Sequence, residues 1–257
     1  MTLVSVNCVV KNREDFIARA IESVLSQSFV DWELVVIDNE SEDNTAAIIK
    51  DYAIKDKRIK YFYSSLKNIG ANRNLALNKS IGRYIAVIDS DDFWIDNNKL
   101  KKQLDYLENH KKCVLLGTNV INVDVNGQEL AKQSLLLSDG QIRNSMTSKN
   151  SFIHSSVIYD KAAALSVEAY LESSMGEDYE LWLKLGLLGE MANLPNFSTA
   201  YRIHQGNEGY HKEYFVVRQA FRIVRKFFEK YPKGFKSRLI YWLRIIKIWF
   251  KYSLKCS

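Results

Sequence analysis

Residues 83–94 read Arg83-Tyr84-Ile85-Ala86-Val87-Ile88-Asp89-Ser90-Asp91-Asp92-Phe93-Trp94. Residues 84–88 form an uncharged apolar run that leads into three carboxylates. A strand buried on both faces of a parallel sheet has this continuous apolar character, so the run predicts a strand that carries Asp89 and Asp91 to the edge of a sheet. Hard cations such as Mg2+ and Mn2+ are usually held by one or two carboxylates plus substrate phosphates. The pattern therefore suggests a divalent-cation site, although an Asp-x-Asp pair by itself is more often a solvated turn after a core strand.

The segments before this stretch alternate between strand and helix patterns. Strands are predicted at residues 3–10, 33–37 and 58–63, and helices from near Asn12 to Leu25, from Ser41 to about Ala53, and from Ala71 to Lys79. This order with short connections predicts a mostly parallel sheet with helices on both faces. Because ligands bind at the carboxyl ends of such strands, Asp38 and Asp89, which both end predicted strands, are expected to share one edge.

After Trp94 the alternation is less regular. The patterns predict an amphipathic helix at residues 99–110, an extended segment at 114–125 that closes in an Asn126-Gly127 turn, a strand at 152–159, a helix at 177–189 and an extended segment at 198–204. We therefore expect an α/β domain over residues 1–210 and a helical extension over residues 211–257.

The composition indicates a globular protein, since 47% of the 257 residues are apolar, 26% are charged and only two are proline. Cys8, Cys113 and Cys256 are widely spaced without a CxxC pair, so neither a disulfide framework nor a zinc site is indicated. Met1 leads almost directly into a strand-like run without the basic segment and cleavage site of a signal peptide. We therefore expect a reducing compartment and a cytoplasmic location.

A set of short motifs occurs in order over about residues 3–205. They are residues 4–6 with Asn12, residues 20–28, Asp38 with Ser41 and Asp43, Arg73-Asn74, residues 89–92, residues 177–182 and residues 201–204. Together they resemble the family 2 glycosyltransferases of the GT-A fold, which transfer a sugar from a nucleotide-diphosphate donor with inversion at the anomeric carbon. The resemblance implies a Rossmann-like, mostly parallel central sheet flanked by helices, and it favours the metal interpretation of the aspartates.

The resemblance also implies roles for individual residues. Asp89, Asp91 and His204 match positions near the metal, Mn2+ or Mg2+, although His204 on its own is equally well read as structural. Donor binding is implied for Val10, Asp38, Asn39, Arg73 and Asp89. Asp178 matches the general base that takes the proton of the acceptor hydroxyl, while Glu177 beside it is expected to support the loop.

Three departures from the family pattern affect specificity. Asn39 replaces a second acid that contacts the nucleobase in relatives, and Lys11 replaces a tyrosine that stacks on the base in many of them. The glycine-rich turn before the base reads Val167-Glu168-Ala169-Tyr170. Uridine is the first expectation for the nucleobase, with thymidine and guanosine behind it, and the acceptor is not identified.

Residues 211–257 are strongly basic, with 13 Lys and Arg against two acids, whereas residues 1–210 carry a net charge of −5. Apolar residues recur at spacings of three and four from Tyr214 to Phe228, which predicts an amphipathic helix that ends near Pro232. This charge asymmetry means that the two parts of the chain need separate explanations.

The second part of this extension, residues 235–255, places a basic stripe opposite a face that carries Trp242 and Trp249. Embedded cations exclude a membrane-spanning helix, and the pattern favours a helix that lies on an anionic membrane surface. Docking of the helices on the protein body or on a second subunit is the alternative. Nucleic-acid binding is not expected, because the aromatic residues lie on the apolar face instead of between the charges.

The sequence thus predicts a metal-dependent, inverting glycosyltransferase, peripheral at the inner face of the cell membrane. It is expected to add a sugar from a UDP-sugar to a glycan acceptor, with a lipid-linked precursor of a surface polysaccharide favoured. The alternative is a catalytically silent nucleotide-sugar-binding or scaffold protein of the same fold, given the changes at Lys11, Asn39 and Glu168. Homo-oligomerisation is left open.

Overall fold

The structure is a computed structural model that describes residues 3–173, 175–204, 213–233, 236–237 and 239–243. The strands are β1 (Val4–Val10), β2 (Trp32–Asp38), β3 (Ile59–Tyr63), β4 (Tyr84–Val87), β5 (Phe93–Trp94), β6 (Cys113–Val123), β7 (Glu129–Gln133), β8 (Ile158–Asp160) and β9 (Glu190–Arg202). The α-helices are α1 (Ile17–Leu25), α2 (Thr45–Lys55), α3 (Ile69–Lys79), α4 (Lys99–Asn109), α5 (Asp139–Ser145), α6 (Lys161–Ser166), α7 (Glu177–Leu185) and α8 (Glu213–Val224). Short 3-10 helices span His154–Ser156 and Arg225–Phe227.

The described strands form one sheet in the order β3-β2-β1-β4-β8-β6-β9-β5, with β7 paired to β6. The first four strands in this order are parallel, as the β-α-β alternation predicts. Beyond β4 the sheet is mixed, because β8 runs antiparallel to both β4 and β6, whereas β6 and β9 are parallel. The α/β fold class is therefore confirmed, with its parallel character concentrated in the half that precedes Asp89.

The apolar run at residues 84–88 is buried on both faces, as the sequence predicts. Ile85 and Val87 pack into one core cluster, which includes Trp182, while Ala86 and Ile88 pack into a second cluster with Ile21 of α1. Successive side chains of a strand point to opposite faces, so alternate residues of the run contribute to different core clusters. The acidic turn that follows is thereby anchored on both sides.

Two local predictions were wrong. Asn12 does not cap a helix: it has a φ of 51°, its side chain accepts a hydrogen bond from the Glu42 N–H at 2.8 Å, and α1 begins only at Ile17. The segment 152–159 is not one strand, because a 3-10 turn with a Ser156 Oγ bond to the Ile153 carbonyl at 2.7 Å precedes the short β8. At Ser156 a side chain that bonds to nearby backbone competes with regular structure, whereas at Asn12 the bond ties the chain to a segment 30 residues away.

The first helix of the basic extension docks on the protein body. Ile223, Val224, Phe227 and Tyr231 are buried in the core cluster that contains Trp182. For α8 the structure therefore supports the alternative of docking on the body. Most of the second basic segment, beyond residue 243, lies outside the described residues. Within the described part of the chain, no helix has the length and apolarity that crossing a bilayer requires.

Candidate active site

A cleft of about 420 Å³ opens at the carboxyl ends of β1, β2 and β4. Its lining includes Val10, Asn39, Arg73, Asp89 and Asp91. Val10 is the last residue of β1, Asn39 follows β2, and the aspartates follow β4, so the parallel strands carry distant parts of the sequence to one edge. The structure thus brings together most of the residues for which donor or metal binding was predicted from sequence.

Asp38 lies beneath this lining, with 1% of its surface exposed. One carboxylate oxygen accepts a hydrogen bond from the Tyr61 hydroxyl at 2.9 Å, and the other accepts from the Ser41 N–H at 3.1 Å. Burial and the bond to Asp38 raise the pKa of Tyr61 to about 12, so this hydroxyl stays a donor. In this arrangement Asp38 fixes the turn that presents Asn39, and a direct donor contact for Asp38 stays a prediction.

Asn39 is held at the cleft by two neighbours. Its backbone N–H donates to the Val10 carbonyl at 2.8 Å, and its side-chain oxygen accepts from the Asn72 amide at 3.2 Å. The first bond continues the pairing of β1 with β2 beyond the last strand residue. The Asn39 oxygen is consequently engaged within the protein, which leaves its amide N–H2 as the group free of a described bond.

Asp89 is surrounded by positive charge and hydrogen-bond donors. Its Oδ1 lies 3.0 Å from His154 Nδ1 and 3.4 Å from a terminal nitrogen of Arg73, and its backbone N–H donates to Ser155 Oγ at 3.0 Å. Burial acts to raise the pKa of Asp89, but the charges of His154 and Arg73 outweigh it and hold the pKa well below its usual range. Asp89 therefore stays ionised at neutral pH.

Arg73 connects Asp89 to the helix that carries the expected base. Its Nε lies 3.1 Å from the carboxylate of Glu177, and its guanidinium also contacts the ring of His154. Burial raises the pKa of Glu177 to about 7, and the charge of Arg73 opposes that rise. The pair is nearly inaccessible, with side-chain exposures of 13% for Arg73 and 6% for Glu177, so water screens it little.

Asp91 points to a different set of partners. Its Oδ2 lies 3.0 Å from His204 Nε2 and 3.7 Å from Arg13 Nε, and its carbonyl accepts a bond from Arg202 Nε at 2.7 Å. Each carboxylate therefore has its own cationic or histidine neighbours. The metal role of Asp89 and Asp91 stays a prediction.

The third acid of the run, Asp92, is structural. Its carboxylate accepts hydrogen bonds from the Arg202 N–H at 2.8 Å and from the hydroxyl of Ser155. Burial raises the pKa of Asp92 far above its usual range, and the neighbouring charges of Asp91 and Asp89 raise it further. Asp92 therefore ties the acidic turn to the end of β9 and does not compete for a cation.

The described residues contain no cluster of three or more His, Cys, Asp or Glu side chains arranged around one point. A Mg2+ or Mn2+ ion that takes most of its ligands from substrate phosphates and water needs only one or two protein ligands. Asp91 and His204 form such a pair and fit the predicted metal. Asp89, which is engaged by Arg73 and His154, fits a place beside the ion better than a place on it.

Asp178 lies in the first turn of α7, after Gly176, which adopts the left-handed φ of 78°. One of its carboxylate oxygens accepts a hydrogen bond from the Asn150 amide at 3.3 Å. The positive end of a helix favours negatively charged side chains in this turn. Asp178 is half-buried and lines a second cleft, of about 350 Å³, whereas the first cleft, called the donor-side cleft below, is lined by Arg73 and Asp89.

Sequence reasoning missed several residues at this site. The sequence predicted no role for His154, and it predicted for Glu177 only that it supports the loop. Their contacts with Arg73 join positions 81 and 104 residues apart in the chain, so no local pattern could reveal them. For Glu177, its place directly before the expected base was the available signal.

Comparison with known proteins agrees with this geometry. A family model described as glycosyl transferase family 2 matches residues 5–172. The chain belongs to that family. UDP-Glc:alpha-D-GlcNAc-diphosphoundecaprenol beta-1,3-glucosyltransferase WfaP of Escherichia coli is 31% identical to this glycosyltransferase over 224 residues, which cover 86% of this chain and 85% of WfaP. O-antigen biosynthesis glycosyltransferase WbnJ of Escherichia coli is 29% identical over 210 residues, with 79% of this chain and 81% of WbnJ covered.

Solved structures confirm the GT-A type of fold for this glycosyltransferase. Staphylococcus aureus TarS 1-349 in complex with UDP-GlcNAc matches with a TM-score of 0.69 and 22% identity, over 85% of this chain and 65% of that one. Mannosyltransferase PcManGT from Pyrobaculum calidifontis, in complex with GDP-Man and Mn2+, matches with a TM-score of 0.64 and 14% identity, over 94% of this chain and 68% of that one. At these identities the likeness concerns the fold alone.

Proposed function

We propose that this glycosyltransferase moves a sugar from a nucleoside-diphosphate donor, a UDP-sugar by first choice, to a hydroxyl of a glycan acceptor with inversion. The observation that carries the proposal is the bridge from Asp89 through Arg73 to Glu177, because Glu177 directly precedes Asp178. The bridge holds the start of α7 against the donor-side cleft. A base at Asp178 can then act on the face of the sugar opposite the diphosphate.

Cationic side chains around the cleft suit a diphosphate. Lys11, Arg13 and Lys67 line it together with Arg73. Arginine offers forked N–H donors that match phosphate oxygens, and lysine adds mobile positive charge. An ion held by Asp91 and His204 would neutralise the charge that grows on the departing diphosphate. Uridine is preferred because WfaP is named for UDP-Glc and TarS binds UDP-GlcNAc.

In the proposed reaction, the acceptor oxygen forms a bond to the anomeric carbon while the bond from that carbon to the diphosphate oxygen breaks. The nucleoside diphosphate leaves with the bonding electron pair, and the proton of the acceptor hydroxyl passes to the Asp178 carboxylate. The bond from Asn150 holds one oxygen of Asp178, so the other oxygen remains as the proton acceptor. Arg73 supplies positive charge on the donor side throughout.

We further propose a lipid-linked acceptor in the assembly of a surface polysaccharide, at the inner face of the cell membrane. WfaP is named for an acceptor on diphosphoundecaprenol, and WbnJ for O-antigen biosynthesis. The 13 basic residues among positions 211–257 supply the charge that attracts a protein to anionic lipid.

A thermal-shift screen tests the donor assignment. UDP, dTDP and GDP are each added with and without Mn2+, and the midpoint of unfolding is measured. We expect UDP with Mn2+ to raise the midpoint most, because binding to the folded state stabilises it. A second function, a silent nucleotide-sugar-binding protein, predicts the same stabilisation without release of UDP from any UDP-sugar, so an assay of UDP release separates the two. Stabilisation by none of the nucleotides would contradict both.

A further inference from the structure

The second cleft, beside Asp178, lies between α7 and α8, and residues 148–150 and Tyr241 complete its lining. Its volume is about 350 Å³, which falls within the range of about 300–1,000 Å³ that is common for small-molecule sites. One wall carries Asp178 and Met175 from the start of α7, and the other carries Val216, Val217 and Ala220 from α8. The cleft therefore places the expected base opposite an apolar helix face.

This apolar wall is firmly attached to the body. A Cβ on Gly176 would lie 2.6 Å from Ile223 Cδ1, so the Ile223 side chain of α8 packs directly against the start of α7. Lys226 pairs with Glu180 of α7 at 3.1 Å, and Val224 is fully buried. Helix α8, which lies beyond the family-matched residues 5–172, thus forms one wall of the cleft beside Asp178.

The surroundings of the cleft continue its apolar character. Tyr241 lines the cleft and is buried, while its neighbours Leu239, Trp242 and Leu243 have 61%, 54% and 59% of their surface exposed. Exposed apolar groups of this size beside a pocket mark a site for an apolar ligand or a membrane. Lys149 is exposed at the rim and offers positive charge close to Asp178.

We infer that the cleft between α7 and α8 binds the first part of an apolar chain that carries the acceptor through a phosphate. The chain lies along Val216, Val217 and Ala220, the phosphate meets Lys149, and the sugar hydroxyl reaches Asp178. The inference rests on the proposed function, and it adds that α8 selects acceptors joined to such a chain. An acceptor sugar without its chain would lack these apolar contacts and would bind weakly.

Binding of soluble prenyl diphosphates to the full chain tests this site. Farnesyl diphosphate and inorganic pyrophosphate are titrated by calorimetry in EDTA, so that metal-dependent binding at the donor-side cleft does not contribute. We expect farnesyl diphosphate to bind at least about tenfold more tightly than pyrophosphate, because an apolar chain gains about 0.8 kcal/mol for each buried methylene group. Equal affinity of the two ligands would overturn the inference.

Two variants locate the binding. Ala220→Trp fills the cleft and is expected to weaken the binding of farnesyl diphosphate at least about tenfold. Arg222→Trp places the same side chain on the exposed face of α8 and is expected to change nothing. Val216→Ser removes apolar surface without adding bulk and is expected to weaken binding about fivefold, which keeps the test valid if Ala220→Trp does not fold. Unchanged affinity in Val216→Ser would contradict the proposed wall.

Two further measurements separate the sources of failure. Dodecyl diphosphate has the same head group and compares a straight chain with a prenyl chain. Tighter binding of farnesyl diphosphate supports a polyprenyl carrier of the acceptor, and equal binding would contradict a site that selects that carrier. Stabilisation by UDP with Mn2+ is measured on the same protein. If UDP stabilises the protein but no chain-bearing ligand binds, the inference about α8 fails while the proposed function stands. If UDP also fails to stabilise the protein, the result contradicts the proposed function itself.

Discussion

The guanidinium of Arg73 lies 3.1 Å from the carboxylate of Glu177, and the same guanidinium reaches Asp89 at 3.4 Å. This contact joins the acidic turn after β4 to the first turn of α7. The expected base, Asp178, is the next residue along that turn. A buried ion pair therefore links the acidic turn at the first cleft to the helix turn that carries Asp178.

The first prediction concerns this pair. Glu177→Gln removes the charge but keeps the shape, so we expect α7 to be held less precisely. Turnover should fall about tenfold or more, while the affinity for UDP changes by less than about threefold, because a small misplacement of a catalytic group costs rate more than binding. Glu172→Gln, at an exposed position nearby, is the matched control. Steady-state kinetics of UDP release provide the measurement.

The pair also predicts a pH dependence. Burial raises the pKa of Glu177 to about 7, so Glu177 takes up a proton and loses its charge pair with Arg73 as the pH falls below about 7. We expect wild-type turnover to decline on that acid side and the decline to be absent in Glu177→Gln, which is already neutral. Identical profiles for the two proteins would show that Glu177 has a structural role alone.

A second prediction concerns the metal. Asp91 Oδ2 lies 3.0 Å from His204, and the pair is the part of the site that fits a divalent cation. Asp91→Ala is expected to abolish the Mn2+-dependent part of the stabilisation by UDP, while any metal-independent part remains. Asp105→Ala, on the exposed face of α4, is the control. If Asp91→Ala kept the full effect of Mn2+, another residue would have to hold the ion.

A third prediction concerns a buried lysine that the mechanism does not use. Lys99 is fully buried, donates to Gln103 Oε1 at 2.9 Å and lies 4.2 Å from the centre of the Trp94 ring. Burial lowers the pKa of Lys99 to about 7. Between pH 7 and the ordinary lysine pKa of about 10.4, Lys99 is protonated in the unfolded chain but largely neutral in the folded chain. The free energy of unfolding should therefore rise by about 1 kcal/mol per pH unit over this range.

Lys99→Met should be more stable than the wild type at pH 7, and the difference should shrink as the pH rises to 9. Urea unfolding at each pH gives the free energies of unfolding. Lys101→Met replaces an exposed lysine of the same helix and should leave the pH dependence unchanged. Parallel stability curves for the wild type and Lys99→Met would contradict the low pKa.

A fourth prediction concerns the basic extension. Tyr241 is buried in the body, so a chain that ends after residue 243 keeps the docked part and loses residues 244–257. We expect this truncation to reduce association with vesicles of anionic lipid, and we expect salt to weaken the association of the full chain. Vesicles of neutral phosphatidylcholine are the control. Low association of the full chain, unchanged by the truncation, would refute a membrane role for these residues.

Much of the parallel half of the fold follows from sequence, because fully buried parallel strands must be apolar along their length. The run before Asp89 is the clearest example, and β1 and β2 of the same parallel half are also buried along most of their length. The strands also explain why Val10, Asn39 and Asp89 meet at one edge. The mixed half of the sheet was harder to predict from the sequence, since β8 has only three residues and follows a turn held by serine side chains.

The site was predictable where motifs are local and hidden where contacts are distant. The pairing of Asp91 with His204 follows family motifs, whereas the contacts of Arg73 with His154 and Glu177 depend on tertiary packing. The amphipathic pattern of α8 could not reveal its partner, because a helix that docks on protein and one that lies on lipid bury similar apolar faces. Val224 shows that protein covers this face at that position.

The most direct test of the account is a comparison of Asp178→Asn with the wild type. UDP release from the preferred UDP-sugar and stabilisation by UDP with Mn2+ are measured on the same samples. The account predicts that stabilisation stays within about one degree of the wild type, while turnover falls about a hundredfold or more, as expected for loss of a general base. Near-normal turnover in Asp178→Asn would contradict the assignment of the base.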